Sequence, residues 1–224
     1  MKDLNAARVL VVGASRGTGL EVVKALLKRQ CQVTAFARVA SAMTLRHKRL
    51  RHFDGDATNP EDIERAIKDH DAVIVTLGIS ENPLSVRWRN AAKSTQLHVR
   101  SQGTKHVITA MHRHNVRRLI VQTTYGITDS KDKLGLIDRL FFWLFLKPQI
   151  EDSITQEELV RSSALDWVIA KPVHLTDQTT QAPANVSTHG EKRRRNVTRQ
   201  QVAQVLTDAL GSSELVHKSL SISG

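Results

Sequence analysis

Cysteine and aromatic residues are both scarce in this chain of 224 residues. The one cysteine, Cys31, excludes an internal disulfide framework and leaves no pair of thiols to hold zinc. Three Trp, one Tyr and five Phe are too few for the aromatic platform on which proteins stack nucleic-acid bases. A chain so poor in cysteine fits a reducing compartment, and we predict a cytoplasmic protein.

Long apolar runs are also missing. No stretch approaches the roughly eighteen consecutive apolar residues of a membrane span, and the opening MKDLNAAR has no signal-peptide core. Lys and Arg outnumber Asp and Glu by 33 to 22, which gives a net charge of +11 and attracts anionic partners. Because no zinc-finger, RNP-type or basic-zipper pattern accompanies that charge, nucleic-acid binding is not favoured as the main function.

Apolar runs alternate with helical patterns along the whole chain. The predicted strands are Arg8 to Val12, Gln32 to Ala37, Leu50 to Phe53, Asp71 to Gly78, Arg118 to Gln122 and Trp167 to Ala170. The predicted helices are one after Gly13, a weak one over Ala40 to His47, one from Asn59 to Asp69, His98 to His114, Ser153 to Ser163 and Thr198 to Leu210. This order predicts an α/β Rossmann fold, a doubly wound parallel sheet with helices on both faces. We expect one domain, 1–224, with a small substrate-side portion at about 125–190.

A glycine-rich turn, GASRGTG, follows the first predicted strand. Its residues are Gly13, Ser15, Arg16, Gly17, Thr18 and Gly19. In a doubly wound sheet, the bare amides of this turn and the next helix N-terminus form a site for a pyrophosphate. A purely structural turn would contain the same glycines, but the flanking strand and helix supply the context that a dinucleotide site requires.

The segment after this turn contains no acid. NAD sites usually carry an acidic residue near the end of the second strand, yet there is no Asp or Glu between Glu21 and Asp54. Arg16 and Arg38 could instead offer charge-assisted hydrogen bonds to a 2′-phosphate. The sequence therefore favours NADP(H) over NAD(H), whereas the basic cluster at 46–51 is interpreted as a solvated face.

Several segments extend the evidence beyond the turn. They are GDATNPEDIERAIKDHDAVIVTLG, SQGTKHVITAMHRHNVRRLIVQTT, SALDWVIAKPVHLTD and NVTRQQVAQVL. Together with GASRGTG they resemble the atypical short-chain dehydrogenase/reductases, in particular the NmrA-like branch that includes the biliverdin-IXβ reductase and flavin reductase family. That branch contains reductases and redox-sensing regulators, so the resemblance implies the fold more directly than the activity.

The resemblance also implies site residues. It places Asp56 and Ala57 near the adenine, Leu77 and Gly78 along the middle of the cofactor, and Thr123, Thr124, Pro172 and His174 around the nicotinamide. Thr124 stands where the flavin reductases have a serine, and it keeps the hydroxyl. His174 matches the histidine of their Pro-Pro-His motif, with Val173 in place of the second proline, and a purely structural histidine is an equal alternative.

The tyrosine and lysine of typical short-chain dehydrogenases are not found at their usual spacing. Tyr125 is the one tyrosine, and Asp129 stands four residues beyond it where those enzymes have the lysine. Tyr125 is therefore expected to line the pocket rather than to act as a strong acid. The remaining chemistry is hydride transfer from NADPH to a flavin, quinone or conjugated tetrapyrrole.

Four aromatics lie close together in LGLIDRLFFWLFLKP, at Phe141, Phe142, Trp143 and Phe145. Three interpretations of a helix at 134–147 remain open: a lid over an aromatic substrate, a surface for a homodimer or protein partner, and a membrane-surface anchor. The loop Ser80 to Gln96, with Arg87, Trp88 and Arg89, is expected on the opposite rim. Metal binding by His106, His112 and His114 is disfavoured, because arginines surround them.

The sequence thus predicts an NADPH-dependent reductase in which Thr124 and His174 orient a small-molecule acceptor. The alternative is a non-catalytic NADP-sensing regulatory protein that presents its aromatic helix to a partner.

Overall fold

The computed structural model describes residues 6–78, 98–129 and 147–224. The aromatic segment Phe141 to Phe145 and the loop Ser80 to Gln96 lie outside these ranges, so the three interpretations of the aromatic segment stay predictions.

Within the described ranges the strands and helices alternate as expected. The strands are β1 Arg8–Val12, β2 Gln32–Ala37, β3 Leu50–Asp54, β4 Ala72–Val75, β5 Arg118–Gln122, β6 Asp166–Pro172, β7 His174–Thr176, β8 Asn185–Ser187, β9 Asn196–Thr198 and β10 Lys218–Ser223. The helices are α1 Gly17–Lys28, α2 Pro60–Ile67, α3 Val99–Arg113, α4 Lys147–Arg161 and α5 Arg199–Gly211.

Eight strands form one sheet in the order β3-β2-β1-β4-β5-β6-β10-β8. All its neighbours pair in parallel except β8, which runs antiparallel to β10. Strands β7 and β9 form a separate parallel pair. The order reverses between β1 and β4, which is the switch point of a doubly wound sheet, and the predicted fold class is confirmed.

The central strands are apolar on both faces because helices cover both sides of the sheet. On β1, Val9 and Val11 pack into one core with α1 and α5, whereas Leu10 and Val12 pack into the other with α2 and α3. All four side chains are fully buried. The carboxyl ends of β1, β2, β4 and β5 are therefore held rigidly at one edge of the sheet.

The predicted helix at Ala40 to His47 is wrong. A single 3₁₀ turn at Ala40–Ala42 replaces it, and the chain then runs without regular structure to β3. The Asp54 carboxylate accepts hydrogen bonds from the Ser41 amide and hydroxyl at 2.7 and 2.6 Å, and the Arg46 guanidinium binds the Ser41 carbonyl at 3.2 Å. These contacts satisfy backbone groups locally and compete with a helix.

The carboxyl-terminal part of the sheet also differs from expectation. β6 continues through Pro172 instead of stopping before it, and the sequence pattern did not predict β10. β10 reads KSLSIS, so every second residue looks polar, yet Leu220, Ser221, Ile222 and Ser223 are all buried beside β6.

No helix in the described ranges combines the length and the apolar character needed to span a bilayer.

The buried strand β5 provides a test of the core. Ile120 is fully buried between β4 and β6, so Ile120→Ala should lower the free energy of unfolding by about 2–5 kcal/mol. Val39→Ala is the control, because Val39 is 59% exposed and its truncation should change stability by less than about 0.5 kcal/mol. Chemical denaturation followed by circular dichroism measures both, and equal losses would contradict this account of the core.

Candidate functional site

A cleft of about 760 Å³ opens at the carboxyl ends of β1, β2, β4 and β5. It is lined by Gly13, Ser15, Arg16, Gly17, Thr18, Phe36, Ala37, Arg38, Val39, Gly55, Asp56, Ala57, Thr76, Leu77, Gly78, Val99, Arg100, Gln122, Thr123, Leu175, Asp177 and Arg199. Ligands of open α/β sheets bind at this edge, outside the strand ends at the switch point.

The glycine-rich turn forms one wall of the cleft because α1 approaches β1 very closely. A Cβ built on Gly19 would lie 2.1 Å from the Gly13 carbonyl oxygen, and one built on Gly13 would lie 2.8 Å from the Thr76 carbonyl oxygen. Gly13 also has a φ of +89°, a conformation that residues with a Cβ rarely adopt. The turn therefore requires glycine at both positions, and Gly19 serves helix packing rather than lining the cleft.

The N-terminus of α1 opens into the cleft with its first amides uncapped by any described side chain. Arg16 precedes the helix in an extended conformation and makes no capping hydrogen bond, and the first turn of α1 contains no acid. Orphan amides and the helix dipole favour an anion at this point.

At the end of β2, Arg38 is exposed and lines the cleft. The nearby carboxylate of Asp54 is turned to Ser41, whose hydrogen bonds hold the pKa of Asp54 below its ordinary value. Both oxygens of the Asp54 carboxylate therefore already accept hydrogen bonds. Asp54 does not serve as the acid that accepts a ribose hydroxyl in NAD sites. The rim at Arg16 and Arg38 carries positive charge.

Asp56 and Ala57 follow β3 and line the same end of the cleft. One Asp56 carboxylate oxygen accepts the Thr58 amide and hydroxyl at 2.9 and 2.8 Å, which fixes the loop. Gly103 of α3 allows Leu77 and Ala57 to pack against the helix, since a Cβ on Gly103 would lie 2.6 Å from Leu77 Cδ1. The loops after β3 and β4 are thus held by local contacts.

The opposite end of the cleft contains polar groups that the sequence did not single out, Arg100 and Gln122 beside the predicted Thr123. Arg100 Nη1 and Gln122 Oε1 are both buried and have no hydrogen-bond partner among the described residues. Burial lowers the pKa of the Arg100 guanidinium, and the charge of Asp152 offsets part of that effect. An unpaired buried polar atom destabilises the folded protein. We therefore expect these two atoms to form hydrogen bonds with a ligand or with water.

Arg199, the first residue of α5, reaches the glycine-rich turn from the far end of the chain. Its Nε would lie 3.4 Å from a Cβ built on Gly17, and its Nη1 donates to Asp177 Oδ1 at 2.7 Å. A capping box at Thr198, whose hydroxyl accepts the Gln201 amide, fixes the start of α5. The sequence pattern gave no signal for Arg199, because only the fold brings it beside the turn.

The predicted acceptor contacts Thr124, Tyr125 and His174 are not among the described residues that line the cleft, and neither is the predicted cofactor contact Pro172. Tyr125 is buried, and its hydroxyl donates to the Gly190 carbonyl at 2.9 Å. Burial raises the pKa of this phenol.

His174 is exposed on β7, while its neighbour Leu175 faces the cleft. Thr124 is half-buried directly after Thr123. The roles assigned to these residues stay predictions.

The residues of the cleft fit a dinucleotide. The turn from Gly13 to Gly19, which we call the glycine cradle, permits close approach of a diphosphate, and the α1 amides can donate hydrogen bonds to it. Positive charge along the same wall comes from Arg16, Arg38 and Arg199. The described residues contain no group of three His, Cys, Asp or Glu side chains arranged to hold a metal ion.

The chain belongs to the NAD(P)H-binding family, whose sequence profile matches residues 13–213. The expected family is confirmed, and the chain is an NAD(P)H-binding protein with the Rossmann fold of oxidoreductases. It is 31% identical over 120 residues to a 3-beta-hydroxysteroid dehydrogenase of Mycolicibacterium neoaurum, an alignment that covers 54% of this chain. The chain matches only 32% of the length of that curated relative.

Solved structures share the fold over almost the whole chain. A short-chain dehydrogenase/reductase of Veillonella parvula in complex with NADP has a TM-score of 0.80 at 15% identity, covering 97% of this chain and 94% of that one. ChuY, an anaerobillin reductase of Escherichia coli O157:H7, has a TM-score of 0.75 at 20% identity, covering 96% of both chains. A Rossmann-fold NAD(P)-binding protein of Shigella flexneri has a TM-score of 0.71 at 21% identity, covering 97% and 93%.

The contact between Gly19 and Gly13 generates a prediction. Gly19→Ala should lower the free energy of unfolding by about 1–3 kcal/mol, because the added methyl forces α1 away from β1. Gly78→Ala is the matched control, since among the described residues its Cβ would meet only Arg100 Nη2 at 3.9 Å, and stability should change little. Denaturant titration of both variants measures the difference, and an undisturbed Gly19→Ala would refute the close approach.

Proposed function

We propose that the protein is an NADPH-dependent reductase that transfers hydride to an aromatic or conjugated small-molecule acceptor such as a flavin, a quinone or a tetrapyrrole. The observation that carries the proposal is the cleft at the switch point, with a glycine cradle at Gly13 and Gly19 and a positive rim at Arg16 and Arg38. Similar proteins named as a 3-beta-hydroxysteroid dehydrogenase and an anaerobillin reductase support oxidoreduction as the type of activity.

The preference for NADPH over NADH follows from the charges at the end of β2. Arg38 lines the cleft there, and the carboxylate of Asp54 is occupied by Ser41. A 2′-phosphate meets the guanidinium of Arg38 at the end of β2, whereas a ribose 2′-hydroxyl finds no acidic residue directly after that strand. The similar Veillonella protein was solved with NADP, which is consistent with this preference.

When bound, NADPH supplies the hydride, and the residues of this chain hold and orient the reactants. The α1 amides and Arg199 would bind the diphosphate, and Leu77 and Leu175, which also line the cleft, would exclude water. Thr124 follows the cleft residue Thr123 directly, and His174 precedes the cleft residue Leu175, so both lie next to the cleft wall. In this proposal the Thr124 hydroxyl donates a hydrogen bond to a carbonyl group of the small molecule that accepts the hydride. His174 lies at the outer edge of the cleft.

A second candidate function is a non-catalytic NADP sensor. The hydrogen bond from the Tyr125 hydroxyl to the Gly190 carbonyl favours it, because this phenol is not directed at the cleft. Incubation of the purified protein with NADPH and a panel of flavins, quinones and tetrapyrroles separates the candidates. Acceptor-dependent oxidation of NADPH, followed at 340 nm, supports the reductase, whereas tight binding without turnover supports the sensor.

Arg38 provides the test of cofactor choice. Arg38→Ala should weaken NADPH binding by about ten- to a hundredfold, the value of one charge-assisted hydrogen bond, and leave NADH binding nearly unchanged. Arg117→Ala is the control, because this exposed arginine pairs with Asp166 at the other edge of the sheet. Calorimetric titration with both nucleotides checks the prediction, and equal affinities of the unaltered protein for NADPH and NADH would overturn it.

Arg199 should behave differently from Arg38. If it binds the diphosphate, Arg199→Ala should weaken NADPH and NADH by the same factor, about tenfold or more. Asp177→Asn removes the charge that pairs with Arg199, so it should leave both affinities unchanged or raise them. A loss confined to NADPH would instead place Arg199 at the 2′-phosphate.

A further inference from the structure

A buried carboxylate lies behind the floor of the cleft. Thr123, which lines the cleft directly after β5, donates its hydroxyl hydrogen to Glu157 Oε1 at 2.8 Å. Glu157 lies on α4 and is 0% exposed. The reaction proposed above gives this carboxylate no role, although burying a charge is costly unless it is fully paired.

Hydroxyl groups and cations surround the carboxylate of Glu157. Its second oxygen, Oε2, accepts the Thr128 hydroxyl at 2.5 Å, and Lys171 Nζ and Arg161 Nη2 lie 3.3 and 3.5 Å away. Lys171 is only 1% exposed and also pairs with Asp129, which pairs with Arg161 in turn. Two cations and two carboxylates therefore balance within one network, and both oxygens of Glu157 accept a hydrogen bond from a threonine hydroxyl.

The carboxylate fixes the direction of the Thr123 hydroxyl. A threonine hydroxyl has one hydrogen to donate and two lone pairs that accept. Because Glu157 takes the hydrogen, the Thr123 oxygen can offer only lone pairs to the cleft. Gln122, the neighbouring residue, contributes a second acceptor, since its buried Oε1 has no partner among the described residues. Two acceptors thus stand at the end of the cleft opposite Arg38, where the Nη1 of Arg100, unpaired among the described residues, is a donor.

We propose, on the basis of the NADPH-binding function above, that Glu157 is a positioning residue that makes Thr123 a hydrogen-bond acceptor for the carboxamide NH₂ of the nicotinamide ring. The diphosphate at the α1 N-terminus and the 2′-phosphate at Arg38 place the nicotinamide at the other end of the cleft, beside Gln122 and Thr123. A carboxamide nitrogen carries two hydrogens, which match the two acceptors.

The test compares the binding of oxidised NADP with that of its 3-acetylpyridine analogue, which replaces the NH₂ by a methyl and keeps the ribose. The unaltered protein should bind NADP about three- to tenfold more tightly than the analogue, the value of one neutral hydrogen bond. Thr123→Val should reduce that preference by weakening NADP alone, because the Gln122 acceptor remains, and Thr123→Ser should keep it. Thr207→Val is the control, because it removes a buried hydroxyl that bonds the Ala203 carbonyl within α5.

Glu157→Gln tests the positioning role. Its amide can donate to Thr123 and release the hydroxyl hydrogen, so the preference for NADP over the analogue should shrink while Thr123 is intact. If this variant does not fold, Thr123→Val and Thr123→Ser still decide the proposal.

The inference is overturned if Thr123→Val leaves the ratio of the two dissociation constants, for the analogue and for NADP, unchanged. It is also overturned if this variant loses affinity equally for both ligands, which would indicate a ribose hydroxyl as the donor to Thr123. Absence of any NADP or NADPH binding by the unaltered protein would overturn the proposed function itself.

Discussion

The close approach of α1 to β1 is the constraint on which the rest of the cleft depends. With Gly19 against the Gly13 carbonyl, the helix begins at the strand end and its amides open directly into the cleft. Any side chain at either position would displace the helix axis and with it the amides at the start of α1. The same contact brings Thr76 of the β4 end against the turn, so three elements meet through backbone atoms rather than through adjustable side chains.

Around this rigid turn the polar groups divide by their position along the cleft. The rim near β2 carries the positive charge of Arg16 and Arg38, whereas the end near β5 carries buried acceptors and the arginine Arg100. The buried pair of Glu157 and Lys171 lies behind that second end. An elongated ligand with one anionic end and one hydrogen-bonding end fits this division of charge in one orientation only, with its anionic end at the rim near β2.

The sequence predicted the first half of the fold well because its signals are local. β1, β2 and β5 have the predicted bounds, since each is a continuous apolar run between turn residues. The predicted cofactor residues of the turn, of β2 and of the loops after β3 and β4 also meet in one cleft, apart from Gly19. Arg100, Gln122 and Arg199 were missed because their roles arise from tertiary contacts. β10 was missed because its serines interrupt the continuous apolar run that marks an inner strand, although both of its faces are buried.

The position of Arg199 has a consequence for the order in which the molecule is assembled. The turn, α1 and β4 all come from the first part of the chain, but the arginine that faces Gly17 stands on a helix start fixed by the Thr198 capping box near the carboxyl end. During synthesis the glycine cradle emerges from the ribosome long before Arg199, the arginine that lies against it. A nucleotide that binds through Arg199 therefore fastens the carboxyl-terminal helix to the amino-terminal half, and it links the two ends of the chain in the folded state.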